Sequence, residues 1–322
     1  MTEISANKTD CQSGVIAEAN SDALFITYNL APNADIARLK QLLAQVPVLA
    51  KSLGQTLAET VSQSGAATEL HVTVAVGEQA WEIFEADERP AELLPFPQQQ
   101  REQLTAPSTP VDLLLHIRSN RHDMNHEMAA RLHALFAAHL ELVEQVHGFR
   151  YLDSRDMTGF VDGTENPQGD DRADVAVVAE GRFAGGSYIH LQRYEHDLLR
   201  WNQLVVKQQE DIIGRTKAEN IEYPGADKAS FAHTKRTSLK DAAGKSIEIL
   251  RHSMPYGDLT KRGLLFASFG ASAVPFTKML ESMFHGEEEG GAYDKLLDYT
   301  AAVTGQSFFA PGLALLESWK QS

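Results

Sequence analysis

Two carboxylates on one tight turn are the first feature of this chain that could do chemistry. The stretch Met157-Thr158-Gly159-Phe160-Val161-Asp162-Gly163-Thr164-Glu165-Asn166-Pro167 sets Asp162 and Glu165 among turn-forming residues. Gly159 and Gly163 let the backbone bend sharply and approach something flat and close. A carboxylate held in this way is aimed by backbone and can serve in proton transfer. The plain alternative is a surface turn with two solvated acids. Arg251 is a second candidate. In Ile247-Glu248-Ile249-Leu250-Arg251 it shares the parity of Ile247 and Ile249, so on a strand it shares their face. If that face is buried, the guanidinium needs a partner; if it ends at the surface, Arg251 is simply solvated.

Twelve histidines are present, and most need no function. His122 and His126 are one helical turn apart, a spacing that metal pairs use. The HExxH pattern is absent, because Ala130 stands where its second histidine would be, and no third ligand is near in sequence. The pair therefore reads as a polar helix face. On the residues alone His233 is a loop histidine with no claim over His190, His196 or His285. Asp294, ahead of Lys295-Leu296-Leu297, suits a helix N-terminus. Trp81, Trp201, Trp319 and Tyr194 read as core or interface residues, with electron relay to surface-bound donors as the sharper alternative.

The eight contiguous residues Gly159-Phe160-Val161-Asp162-Gly163-Thr164-Glu165-Asn166 resemble the GxxDG-type signature of the dye-decolourising peroxidases, in their compact bacterial B-type. Other pieces fit in order, most clearly from Gly159 to Pro311. The resemblance implies a haem b cofactor, hydrogen peroxide as oxidant, and organic donors such as dyes and phenolics oxidised by one-electron steps. It also implies an α+β fold of two ferredoxin-like halves with antiparallel sheets, in the dimeric α/β-barrel-like superfamily. His233 matches the proximal iron ligand and Asp294 the acceptor of its Nδ1 proton. Asp162 and Arg251 match the distal catalytic pair, and Gly163, Thr164 and Glu165 lie against the cofactor in that reading. The family often has Asn two residues after the distal arginine; here Ser253 stands there. A haem-handling protein that removes iron, and a non-catalytic ferredoxin-like binding module, are the rival readings.

The elements that must position these residues can be laid out in order. Residues 1–20 read as a loose polar arm. Strands are expected at Asp22–Leu30, His71–Val76, Val111–Ile117, Gly185–Tyr194, Ser246–Ser253, Gly263–Phe269 and Phe308–Pro311. Gly263–Phe269 is apolar on both faces and so reads as central. Helices are expected over 34–62, divided at Pro47, and over Arg121–Gln145, Asp197–Ile213, 273–284, 292–302 and Leu313–Lys320. Gly148–Leu152 reads as extended, 221–245 as irregular, and 287–291 as an acidic loop. The order strand, helix, strand, strand, helix, strand matches a ferredoxin-like half. The halves are expected at 1–155 and 156–322, the second carrying the haem site.

A chain of 322 residues holds one large or two ordinary domains. Its net charge of −15 argues against nucleic acid and anionic membrane surfaces as partners. Cys11 is the only cysteine, so no intrachain disulfide can form, which suits a reducing cytoplasm. The N-terminus lacks a basic segment followed by an apolar one, so no secretion signal is expected. No apolar run approaches a membrane span. A homo-oligomer is expected, without a shell-targeting tail, since the chain stops at Ser322 soon after its last helix.

Overall fold

The computed structural model describes residues 10–61, 69–286 and 291–321. Twelve strands form: β1 Asp22–Leu30, β2 His71–Gly77, β3 Gln99–Arg101, β4 Leu104–Ala106, β5 Leu113–Ser119, β6 Leu140–Phe149, β7 Ser187–His196, β8 Leu250–Arg251, β9 Met254–Gly257, β10 Arg262–Gly270, β11 Thr300–Ala302 and β12 Gln306–Ala310. Eight of them close a ring in the order β7-β12-β2-β5-β1-β6-β9-β10, with β10 pairing back onto β7 from Gly263↔Glu195 to Gly270↔Tyr188. Every pairing in the ring is antiparallel. The fold is thus mixed helix and sheet around an eight-stranded barrel.

Alternation along each strand divides the side chains between the barrel interior and an outer layer. Phe25, Leu114, Val146, Leu191, Leu265, Ala267 and Phe269 meet in one cluster that fills the barrel. Leu24, Ile26, Val72, Val74, Leu115 and Ile117 face out and pack under the helices Ile36–Leu43, Val46–Val61 and His122–Phe136. Both faces are covered, which is why these strands read as nearly unbroken apolar runs. Trp81, Trp201 and Trp319 are all fully buried and belong to the packing.

The second half repeats the strand arrangement of the first but covers its outer face differently. From β7 and β10 the outward residues are Gln192, Tyr194, His196, Leu264 and Phe266. The helix Val274–His285 covers part of that face through Phe276, Met279 and Leu280. The rest is left open as a cavity.

Several expectations need correction. Residues 10–20 are no loose arm: Gln12 is buried, its Nε2 donating to the carbonyls of Val74 (2.8 Å) and Pro311 (3.0 Å) while its Oε1 accepts from Val74 N (2.8 Å). Residues 1–9 lie outside the described residues, as does the acidic loop apart from Gly291. The helix expected to run to Gln145 ends at Phe136, and Leu140–Phe149 is a strand paired along the whole of β1. Ladder bonds to β1 outweigh the local helical preference there. The segment 292–302 forms only a 3₁₀ turn, Lys295–Asp298, before β11 joins the edge of β7. Residues 197–213 form two short helices, Leu198–Trp201 and Val206–Ile213, rather than one, and Gly214 closes the second with φ 88°. Of the strand expected at Ser246–Ser253 only Leu250–Arg251 forms a strand, against Phe269 and Ser268, and Ser246 makes an isolated bridge with Lys240.

Gln12→Ala would leave buried groups of Val74 without partners, each costing about 1–3 kcal/mol. Denaturant unfolding should show a clear loss of stability; an unchanged midpoint would mean that residues 10–20 do not hold the barrel end.

Candidate active site

The cavity has a volume of about 400 Å³ and lies against β7 and β10 outside the barrel. One wall is apolar, built from Leu264, Phe266, Phe276, Met279, Leu280 and Met283. The facing wall comes from the turn after Tyr151. Gly163 has φ +76°, and a Cβ built there would meet nothing within 4 Å, so this backbone borders open space. Gly159 has φ +91°, a left-handed conformation that favours glycine, while a Cβ there would meet only the flexible end of Lys217 at 2.6 Å.

Asp162, Gly163, Thr164, Glu165, His233 and Arg251 all line this cavity. Asp294 does not; it is fully buried behind His233, with Oδ2 2.6 Å from His233 Nδ1. Asp294 Oδ1 also accepts from Leu296 N at 2.9 Å, so the carboxylate caps the 3₁₀ turn and fixes the imidazole together. Burial works against a charged His233 ring, but the Asp294 charge and hydrogen bond outweigh it and raise the His233 pKa. His233 Nε2 has no hydrogen-bond partner among the described residues.

Asp162 and Arg251 face the cavity without a direct ion pair between them. Asp162 Oδ1 accepts from Gly163 N at 2.7 Å, the backbone aiming that the turn makes possible. Burial raises the Asp162 carboxyl above its ordinary value, against the opposing pull of the Arg251 charge. The Arg251 guanidinium makes no hydrogen bond or ion pair among the described residues, so it is a positive charge aimed at open space. Ile247 and Ile249 line the cavity with it, but so does Glu248 of the opposite parity, because residues 247–249 are not in a strand and the expected alternation does not hold there. Ser253 does not line it; its Oγ accepts from Ala267 N at 3.1 Å and serves the sheet. Thr164 and Glu165 stand at the rim. Thr164 Oγ1 accepts from Asn220 at 2.9 Å, and Glu165 is 3.4 Å from Arg215 with a side chain 67% exposed.

Two functional arrangements escaped the sequence reading. Asn166 Oδ1 accepts from Arg251 N (2.8 Å) while its Nδ2 donates to Arg251 O (2.9 Å), so one amide ties the Asp162 turn to the strand that carries Arg251. An Asn-Pro pair reads as turn chemistry, and nothing in it points to a backbone 85 residues away. The second is a polar chain on the cavity wall: Asp156 Oδ1 to His196 Nε2 at 3.1 Å, and His196 Nδ1 to Thr300 Oγ1 at 2.8 Å. Burial alone would raise Asp156, but His196 and the bonds from Thr158 hold its carboxyl down at about 2.

Comparison with known proteins bears on this site and on the fold around it. The family description "Dyp-type peroxidase, N-terminal" matches residues 12–150, and "Dyp-type peroxidase, C-terminal" matches residues 153–315. A dye-decolorizing peroxidase of Rhodococcus erythropolis is 38% identical over 300 residues, covering 92% of this chain and 85% of the relative. One from Mycobacterium tuberculosis is 39% identical over 252 residues, covering 77% and 75%. Among solved structures, DyPB from Rhodococcus jostii RHA1 superposes with a TM-score of 0.88 at 36% identity, covering 95% of this chain and 97% of that one. A dye-decolorizing protein from V. cholerae gives 0.85 at 39% identity, covering 95% and 99%. A variant of the R. jostii protein, with a TM-score of 0.88 at 35% identity over 95% of this chain and 98% of its own, is solved in complex with heme. With both halves matched and its relatives covered over most of their length, this chain belongs to the Dyp-type peroxidase family and is an oxidoreductase acting on peroxide.

Proposed function

We propose that the chain is a haem b peroxidase in which His233 would hold the iron and Asp162 and Arg251 act on peroxide. The observation that carries this reading is the His233–Asp294 pair at the base of the cavity, 2.6 Å apart, with Nε2 left open. The residues fit the group. An apolar wall suits a porphyrin face, Gly163 leaves room beside it, and Arg251 offers an unmatched positive charge to an anionic edge or to peroxide oxygen. Gly163, Thr164 and Glu165 would border the cofactor. Heme-bound structures of R. jostii DypB support the assignment. Nothing in the relatives favours the haem-handling reading or the binding module.

Bound there, haem would supply an iron centre at which peroxide is reduced and from which organic donors are oxidised one electron at a time. The chain's own residues do the rest. Asp294 holds the His233 tautomer with its proton on Nδ1, which makes Nε2 the donor and strengthens it. Asp162, when ionised, takes a proton from peroxide at its Oδ2, since Oδ1 is engaged by Gly163 N. Arg251, whose guanidinium has no partner among the described residues, stabilises negative charge on the departing oxygen. Asn166 holds the two in register through the Arg251 backbone.

The same reading divides the chain into ferredoxin-like halves, 1–155 and 156–322. Its support is the strand order. Within the ring the first half runs β2-β5-β1-β6, and the second runs β9-β10-β7-β12. Numbered within each half, both are 2-3-1-4, the antiparallel order of that motif. The single buried Cys11 and the acidic surface support a cytoplasmic setting.

His233→Ala should take up haem weakly and with a displaced Soret band; normal haem content with the parent's band would refute the ligand assignment. Arg251→Leu, correctly loaded, should consume peroxide about 10²–10³ slower at every pH. The raised Asp162 pKa sets the sign of a pH effect. Asp162 accepts a proton only above its pKa, so the parent's rate should fall as pH drops through a value above that of an ordinary aspartate. Asp162→Asn should lose that acid limb. Stopped-flow mixing with peroxide across acidic to neutral pH measures both. An Arg251→Leu rate equal to the parent's, or an intact acid limb in Asp162→Asn, would remove the corresponding role.

A further inference from the structure

We propose that Asp22, His122 and His147 form a second site, one that binds a divalent transition-metal ion of the zinc class. The His122/His126 pair reads in sequence as a polar helix face because no third ligand stands nearby. The fold supplies two ligands from elsewhere: Asp22 opens β1, His147 lies on the paired strand β6, and His122 begins the helix His122–Phe136. None of the three lines the peroxidase cavity.

The donor atoms converge. Asp22 Oδ1 is 3.3 Å from His122 Nδ1, Asp22 Oδ2 is 2.5 Å from His147 Nε2, and one ligand atom from each residue lies within 4.8 Å of the others. A tetrahedral zinc ion with bonds of about 2.0–2.1 Å sets its ligand atoms about 3.3 Å apart. The two contacts fall on different oxygens of Asp22, so an ion held through one oxygen needs the exposed rings to shift, starting from donors that already lie within 4.8 Å of one another. The ion would replace protons that the imidazoles now share with the carboxylate. The two rings are neighbours, 4.1 Å between centroids.

The surroundings are those of a supported site. The Asp22 side chain is only 11% exposed, so its charge is poorly screened, whereas His122 and His147 are 53% and 41% exposed and leave an entry path and room for water. Asn125, fully buried, donates from Nδ2 to Asp22 Oδ1 (2.8 Å) and Asp22 O (3.1 Å), fixing the carboxylate as outer-shell partners of metal ligands do. Two imidazoles with one carboxylate select zinc, nickel or copper over magnesium or calcium, which prefer oxygen. All three ligands stand on regular elements, so the ion would pin the start of the helix to the β1–β6 pair and stabilise the folded chain by mass action.

The test uses the haem-loaded full chain, stripped of metal by chelator and dialysed. Calorimetric titration with zinc chloride at neutral pH should show one tight equivalent in the parent. His122→Ala and His147→Ala should each bind that equivalent more weakly by about tenfold or more, as disturbed metal sites do. Each variant also removes a partner of the nearly buried Asp22 carboxylate, so the effect of zinc is read in each protein as the shift from its own metal-free unfolding temperature; peroxide turnover should be unchanged. Zinc should raise the unfolding temperature of the parent alone, and magnesium should not. Binding should fade at acidic pH, because metal binding to such ligands releases protons. Equal zinc binding by parent and both variants, no binding by the parent, or an equal response to magnesium would overturn the proposal.

Discussion

The contact between His233 Nδ1 and Asp294 Oδ2 places a carboxylate where no solvent reaches it. Burying an ionised group is costly unless it is hydrogen-bonded and paired, and the second half of the chain is arranged to meet that demand. Asp294 Oδ1 takes the amide of Leu296, its own N–H goes to Met283 O, and Lys295 N goes to Phe231 O. The carboxylate is thereby locked to the end of the helix Val274–His285 and to the segment that delivers His233. Rotation of the imidazole would strand a buried charge, so the ring has one orientation and its free nitrogen points one way.

The opposite side of the cavity is built on a different principle. Asp162 is aimed by a glycine-bracketed turn and Arg251 by a two-residue strand on β10. These are separate pieces of chain, and the paired hydrogen bonds of Asn166 to the Arg251 backbone make them one unit. The two groups interact through space without touching. A direct salt bridge would have neutralised both and closed the space between them. Burial raises Asp162 against the pull of the Arg251 charge, and the Arg251 guanidinium has no partner among the described residues.

Much of this was legible in the sequence because it rests on local rules. The turn chemistry around Asp162 and the two-faced apolar pattern of β10 are properties of neighbouring residues. His233 needed the family resemblance, since nothing local separates it from His196, which also lines the cavity. What stayed hidden depends on partners distant in sequence. Ala137-Ala138-His139 carries no glycine or proline to end a helix, and only β1 makes Leu140–Phe149 a strand. Residues 10–20 look loose until Arg118 reaches Asn20 and Arg172 reaches Ile16 O. Asp22, His122 and His147 span 125 residues and meet only across β1 and β6.

In this reading Asp294 acts through His233 and does not merely cap a turn. The direct measurement is the midpoint reduction potential of the haem in Asp294→Asn. Asparagine can still accept from Leu296 N, but it is a weaker acceptor for the imidazole proton and makes Nε2 a weaker donor. The potential should rise while haem content stays at the parent's level. A variant that holds its haem at the parent's potential would contradict the central role given to this contact.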